Sequence, residues 1–93
     1  MSEFSIISED FQEGKEIPKK FGYKFGNVQP NVSFLSTPNN TATLALIMDD
    51  PDAMAAVGKV WVHWLQYHNL SESSPVEGKT DFGEIGYGGP APP

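Results

Sequence analysis

Five stretches of this chain carry an apolar, β-compatible pattern, and polar or Gly/Pro-rich segments separate them. The strongest is Leu44-Ala45-Leu46-Ile47-Met48, five apolar residues without a break. An uninterrupted run of this length, within the Thr- and aliphatic-rich segment Thr41 to Met48, predicts a central strand buried on both faces. Val60 to His68 is a second strong strand with bulky groups on both faces, so it too is expected to be central. Its last residue, His68, is expected at the surface. Phe4 to Ile7 and Val32 to Leu35 are shorter strand candidates. Phe21-Gly22-Tyr23-Lys24-Phe25 alternates apolar side chains with Gly and Lys, which fits a half-exposed strand or an aromatic-rich loop.

The intervening segments read as connections. Residues 8–20 are polar, with Phe11 and Ile17 expected to tuck in. Thr37-Pro38-Asn39-Asn40 is a turn, because proline presets φ and asparagine tolerates left-handed geometry. Asp52 to Gly58 has helical propensity but room for one or two turns only. From Ser71 to Pro93 the chain is loop-like and rich in Gly and Pro. Strands outnumber helical signals, so the fold class is mainly β. Two central strands need neighbours on both sides and few candidates exist. Residues 1–93 are therefore expected to form a single incomplete domain.

Charge narrows the partners. The chain has 12 acids against 6 bases, every base is lysine, and the net charge is -6. That balance argues against nucleic acid, which needs a basic face. Without arginine there is no planar fork for phosphate, so an anion site would use backbone N–H groups, His or Lys. There is no cysteine, which removes disulfides, thiolate nucleophiles and Cys-type zinc sites. The start of the chain lacks a basic segment followed by an apolar run. The longest apolar run is far below the ~20 residues of a membrane span. A cytoplasmic protein with no transmembrane segment is expected.

Three stretches could carry chemistry. Asp49, Asp50 and Asp52 follow the Leu44 strand at Pro51, which cannot donate to a sheet ladder. They read either as a solvated turn capping its own backbone or as a site for a ligand ammonium, hydroxyl or hard cation. In Trp61-Val62-His63-Trp64, strand alternation puts Trp61 and His63 on one face, with Val62 and Trp64 on the other. His63 is then a satisfied core histidine or one wall of a small polar pocket. Gly86 to Pro93 is a flexible tail or a loop whose consecutive N–H groups form an anion-binding nest. No G-K-[ST], H-E-x-x-H or G-x-S-x-G motif occurs, so neither a cofactor nor enzymatic activity is expected.

Taken in order, these stretches resemble the phosphatidylethanolamine-binding protein family, also called the Raf kinase inhibitor protein family. The family pattern is an aliphatic strand ending in D-P-D-A-P, then W-x-H-[WF], then N-D-F-G-x-x-G-Y-G-G-P-x-P-P, then G-x-H-R-Y. Here the first three are Leu44 to Ala53, Trp61 to Trp64, and Asp81-Phe82-Gly83 through Pro93. Asn31-Val32-Ser33 is similar to the N-V-S before an earlier core strand. Asp49 is an extra acid seen in many microbial-type members. The likeness covers roughly residues 20–93.

The resemblance implies a large central sheet packed on a smaller one, with C-terminal strands and a helix missing from this chain. It implies a non-enzymatic binding protein for small anions or phosphorylated head groups in a shallow pocket. Carried over, Asp50 and Asp52 are the D-P-D acids, Trp61 the pocket aromatic and His63 the pocket histidine. Gly88, Pro90 and Pro92 belong to the rim. His63 would donate to the ligand oxyanion, and loop N–H groups would add donors. Asp50 would orient His63 or accept from a ligand amine or hydroxyl. The alternative is a protein–protein regulator acting on a protein kinase or protease target through its loops. Three departures stand out: Met54 replaces the usual Pro, the Pro pair after N-V-S is missing near Phe34, and no H-R-Y segment is present. A second chain supplying that C-terminal segment is the expected partner if the domain is split.

Overall fold

Two small antiparallel sheets make up the computed structural model, which describes residues 3–92. Pro93, the end of the Gly/Pro run, lies outside them. Strands β1 (Ser5–Ile7) and β2 (Ser33–Leu35) form one sheet, with Ile6 opposite Phe34. Strands β3 (Thr43–Asp50), β4 (Trp61–Asn69) and β5 (Val76–Glu77) form the other, in that spatial order.

Local chemistry explains the connections. The Pro38 turn closes through Thr41, whose N–H and hydroxyl both donate to the Pro38 carbonyl, at 3.2 and 2.7 Å. β3 stops at Asp50 because Pro51 offers no N–H to the ladder. A 3₁₀ turn over Pro51–Ala53 leads into a single helical turn, α1 (Met54–Val57). Gly58 ends that turn at φ 76°, a left-handed conformation that costs glycine nothing. Residues 19–27 form the aromatic loop rather than a strand, beginning with a 3₁₀ turn at Lys19–Phe21.

The expected central burial of the Leu44 run is not what the fold delivers. β4 lies between its neighbours, whereas β3 is an edge strand, and among the described residues nothing pairs with its outer side. Along β3 only Leu46 is buried, and Ile47 stays 64% exposed. An apolar run reports compatibility with burial, and the arrangement of neighbouring elements decides whether burial occurs. His68 departs from expectation the other way. It is half-buried, its ring lies edge-on to Phe34 at 5.1 Å, and its Nε2 is 2.9 Å from Gln66 Oε1. The Phe34 contact ties the larger sheet to the smaller one. The most deeply buried apolar side chains are Phe21, Trp64 and Leu46, from the aromatic loop, β4 and β3.

Candidate functional site

The site is built where β3 ends and β4 begins. Register places Met48 opposite Trp64 and Asp49 opposite Val62, so His63 is an extra residue on β4. An extra residue in one strand is a β-bulge, and it re-aims the side chain it carries. Two adjacent residues are buried as a result, His63 at 6% and Trp64 at 2% exposure. Simple alternation is therefore broken. The side chains nonetheless keep the expected grouping: Trp61 and His63 both meet Phe82 and line one cavity, whereas Trp64 lines another.

Gly88 holds the bulged histidine from both ends. Its N–H donates to the His63 carbonyl at 2.8 Å, and its carbonyl lies 2.7 Å from His63 Nδ1. A carbonyl only accepts, so Nδ1 carries the hydrogen and Nε2 is the remaining polar atom of the ring. Asp50 does not perform this orientation. Its Oδ1 instead accepts the Asp52 N–H at 2.9 Å, an Asx turn that caps the 3₁₀ segment.

The anion-binding nest does not form either. The Gly88 N–H is spent on His63, the Gly89 N–H donates to Asn27 Oδ1 at 2.7 Å, and the Gly86 N–H donates to the Gly78 carbonyl at 3.1 Å. A nest needs successive N–H groups free to converge on an anion, and here they hold the loop against the rest of the molecule. Gly89 is required for that closeness. A Cβ there would fall 1.8 Å from the Phe21 carbonyl oxygen.

A cavity of about 750 Å³ opens beside this arrangement. Its walls include Asp50, Asp52, Trp61, His63, Pro90 and Pro92, drawn from all three stretches singled out in the sequence. The turn and site readings of the acids thus coexist, because Asp50 caps backbone and still lines the cavity. Asp49 lines a different, largely apolar cavity of about 760 Å³, with Leu46, Met48, Trp64 and residues of β1. Gly88 is not a wall residue and acts through His63.

Sequence reasoning missed several residues. Phe82 lies in the cavity wall and organises its aromatic side. Tyr23 stacks flat on it at 3.9 Å, Trp61 meets it edge-on at 5.4 Å, and the His63 ring is 5.7 Å away. Asp81 clamps the start of β4. Its Oδ2 accepts the Val62 N–H at 2.7 Å, its Oδ1 accepts from Lys59 Nζ at 2.8 Å, and its own N–H returns to the Val62 carbonyl. The Lys59 hydrogen bond, followed by the Val62 N–H, holds the Asp81 carboxyl below its ordinary range. The D-F-G triplet was the signal for both residues. Asn27 and Lys24 gave none. Asn27 donates to the Tyr87 carbonyl at 2.9 Å as well as accepting from Gly89, and Lys24 lines the cavity.

Comparisons with known proteins agree with this architecture. The model of the phosphatidylethanolamine-binding protein family matches residues 7–93. A UPF0098 protein of Chlamydia muridarum is 37% identical over 99 residues, covering 95% of this chain and 66% of the relative. A Mycobacterium tuberculosis protein named as a candidate lipoprotein, LppC, is 38% identical over 89 residues, which is 96% of this chain and 40% of that protein. A Chlamydia trachomatis crystal structure, described as a phosphatidylethanolamine-binding protein homolog, superposes with a TM-score of 0.82. It has 31% identity and covers 97% of this chain and 66% of its own. Escherichia coli YbcL, at 24% identity and a TM-score of 0.87 over 99% of this chain and 68% of its own, shares the fold. The chain thus spans about two thirds of the length of its first relatives. Among the described residues no helix is long and apolar enough to cross a membrane. With the family model matched across nearly its whole length, this chain belongs to the phosphatidylethanolamine-binding protein family.

Proposed function

We propose that the cavity at the β3–β4 end binds a small anion, free or as the phosphorylated head group of a larger molecule, without turning it over. The observation that carries this reading is the fixed His63. A buried ring held at Nδ1 by a carbonyl keeps Nε2 available as its one further polar contact. Neutral, Nε2 accepts a hydrogen from a protonated ligand oxygen, and as imidazolium it donates to an oxyanion. Asp50 and Asp52 suit the amine or hydroxyl of the same ligand, and the Trp61–Phe82 wall covers its apolar part.

The cavity volume of about 750 Å³ lies within the usual range for small-molecule sites, about 300–1,000 Å³. The family's name points to a phosphorylated amine head group. Binding rather than catalysis fits walls that contain no Ser, Thr or Cys nucleophile.

The test is an NMR titration with inorganic phosphate and with O-phosphorylethanolamine. Shifts are expected at Trp61, His63 and Phe82, with His63→Ala abolishing them. Tighter binding of O-phosphorylethanolamine assigns the head group, and equal binding assigns the free anion. Unchanged affinity in His63→Ala refutes the assignment.

A further inference from the structure

We infer that Lys24 determines the charge selectivity of this cavity by supplying the counter-charge for the bound anion. The inference rests on the anion-binding reading above and adds a residue to it. The walls hold two carboxylates, Asp50 and Asp52, against one ammonium, Lys24. Apart from Lys24, and with His63 neutral, the lined surface carries two negative charges, which oppose an anion. Something must offset that repulsion, and the chain contains no arginine.

The other lysines of the described residues do not line this cavity. Lys15 lines the apolar cavity between the sheets. Lys19 and Lys20 sit over the Phe25 and Phe21 rings at 4.4 and 5.1 Å. Lys59 is hydrogen-bonded to Asp81 at 2.8 Å.

Lys24 is also held in place through its backbone neighbour. The Tyr23 N–H donates to the carbonyl of Pro90, itself a wall residue, at 2.9 Å, and the Tyr23 ring stacks on Phe82. The Tyr23 hydroxyl donates to Glu84 Oε1 at 2.6 Å. The residue before Lys24 is therefore fixed at three points to the segment that builds the opposite wall. A lysine starting from an anchored backbone reaches the cavity mouth with less chain freedom to lose on binding. Its exposed ammonium stays hydrated until an anion arrives, which suits a compact point charge.

Two unit charges about 4 Å apart in water-like surroundings interact by an amount equivalent to about fivefold in affinity. The test is a titration of inorganic phosphate into the full chain at low and high salt. Five forms are compared: unmodified, Lys24→Gln, Lys24→Arg, Lys15→Gln and His63→Ala. Lys24→Gln is expected to weaken phosphate binding about fivefold and to flatten its salt dependence. Lys24→Arg and Lys15→Gln are expected to bind like the unmodified chain. Equal affinity and salt dependence in Lys24→Gln, while His63→Ala still loses binding, overturns the Lys24 role alone. An equal loss in Lys15→Gln also overturns it, because net charge rather than position would then be responsible. Failure of the unmodified chain to bind phosphate overturns the site reading and this inference with it.

Discussion

Replacing Gly89 with alanine tests the interlock that builds the site. The new Cβ would sit 1.8 Å from the Phe21 carbonyl oxygen, 2.9 Å from the Phe21 carbonyl carbon and 3.1 Å from the Gly22 carbonyl carbon. All three neighbours are backbone, so no side chain can rotate away, and the 87–90 segment must separate from the 21–27 loop. Four hydrogen bonds cross that seam: Tyr23 N–H to the Pro90 carbonyl, Gly89 N–H to Asn27 Oδ1, Asn27 Nδ2 to the Tyr87 carbonyl, and the Tyr87 hydroxyl to the Phe21 carbonyl. At about 1 kcal/mol each, their loss destabilises the chain by about 4 kcal/mol. A domain of this size has only about 5–14 kcal/mol in total. Gly83→Ala is the matched control. Gly83 has φ +91° but open space around its Cβ position, so it suffers only backbone strain of about 1–2 kcal/mol. Urea unfolding followed by tryptophan fluorescence reads both, since Trp64 packs edge-on to Tyr87 at 5.2 Å. A Gly89→Ala midpoint no lower than that of Gly83→Ala refutes the interlock.

Two further outcomes concern pH. Asp81 is held below its ordinary value of 3.8 by Lys59 and the Val62 N–H, so its stabilising contribution is full above 3.8 and fades as pH falls through the lowered folded value. Asp81→Asn is therefore expected to unfold more easily near neutral pH, and its urea midpoint should converge on that of the unmodified chain in strong acid. A gap that does not change with pH would contradict the assignment. Tyr87 is pushed up to about 12 by burial, and its hydroxyl donates to the Phe21 carbonyl at 2.8 Å. Its contribution is present below 10.0 and disappears between 10.0 and about 12. Tyr87→Phe should lower stability by about 1 kcal/mol at neutral pH and make the alkaline loss shallower. An unchanged alkaline limb would argue against burial as the cause.

The expected strands near residues 4, 32, 44 and 60 are present, as are the Pro38 turn and the short helical turn after Pro51. These are local properties: side-chain shape on a pleated surface, the missing proline N–H, and asparagine at φ 68°. Whereas Lys24 and Phe82 were missed, six of the cavity residues, Asp50, Asp52, Trp61, His63, Pro90 and Pro92, were also legible, because the ordered motifs carry them to one place. The partners that give those residues their roles were not. His63 is oriented by a carbonyl 25 residues away, and Asn27 bonds to the Gly/Pro loop across 60 and 62 residues. Such contacts leave no periodicity in the chain.

What the sequence determined by itself is the inventory: an acidic, lysine-only, mainly β chain with aspartates at a strand end, a histidine on the next strand and a Gly/Pro loop after them. Tertiary structure alone decided three things. It left β3 at a sheet edge among the described residues, because burial depends on which elements stack beside it. It turned His63 into a bulge residue, because register is a property of a strand pair and a single inserted residue reverses the phase of everything beyond it. It also used the loop's N–H groups to fasten the molecule to itself, so the polar groups lining the cavity beside it come from the side chains of His63, Lys24, Asp50 and Asp52. A backbone donor buried in a close approach must be satisfied by whichever acceptor the fold brings near, and no reading of neighbours along the chain reveals which one that is.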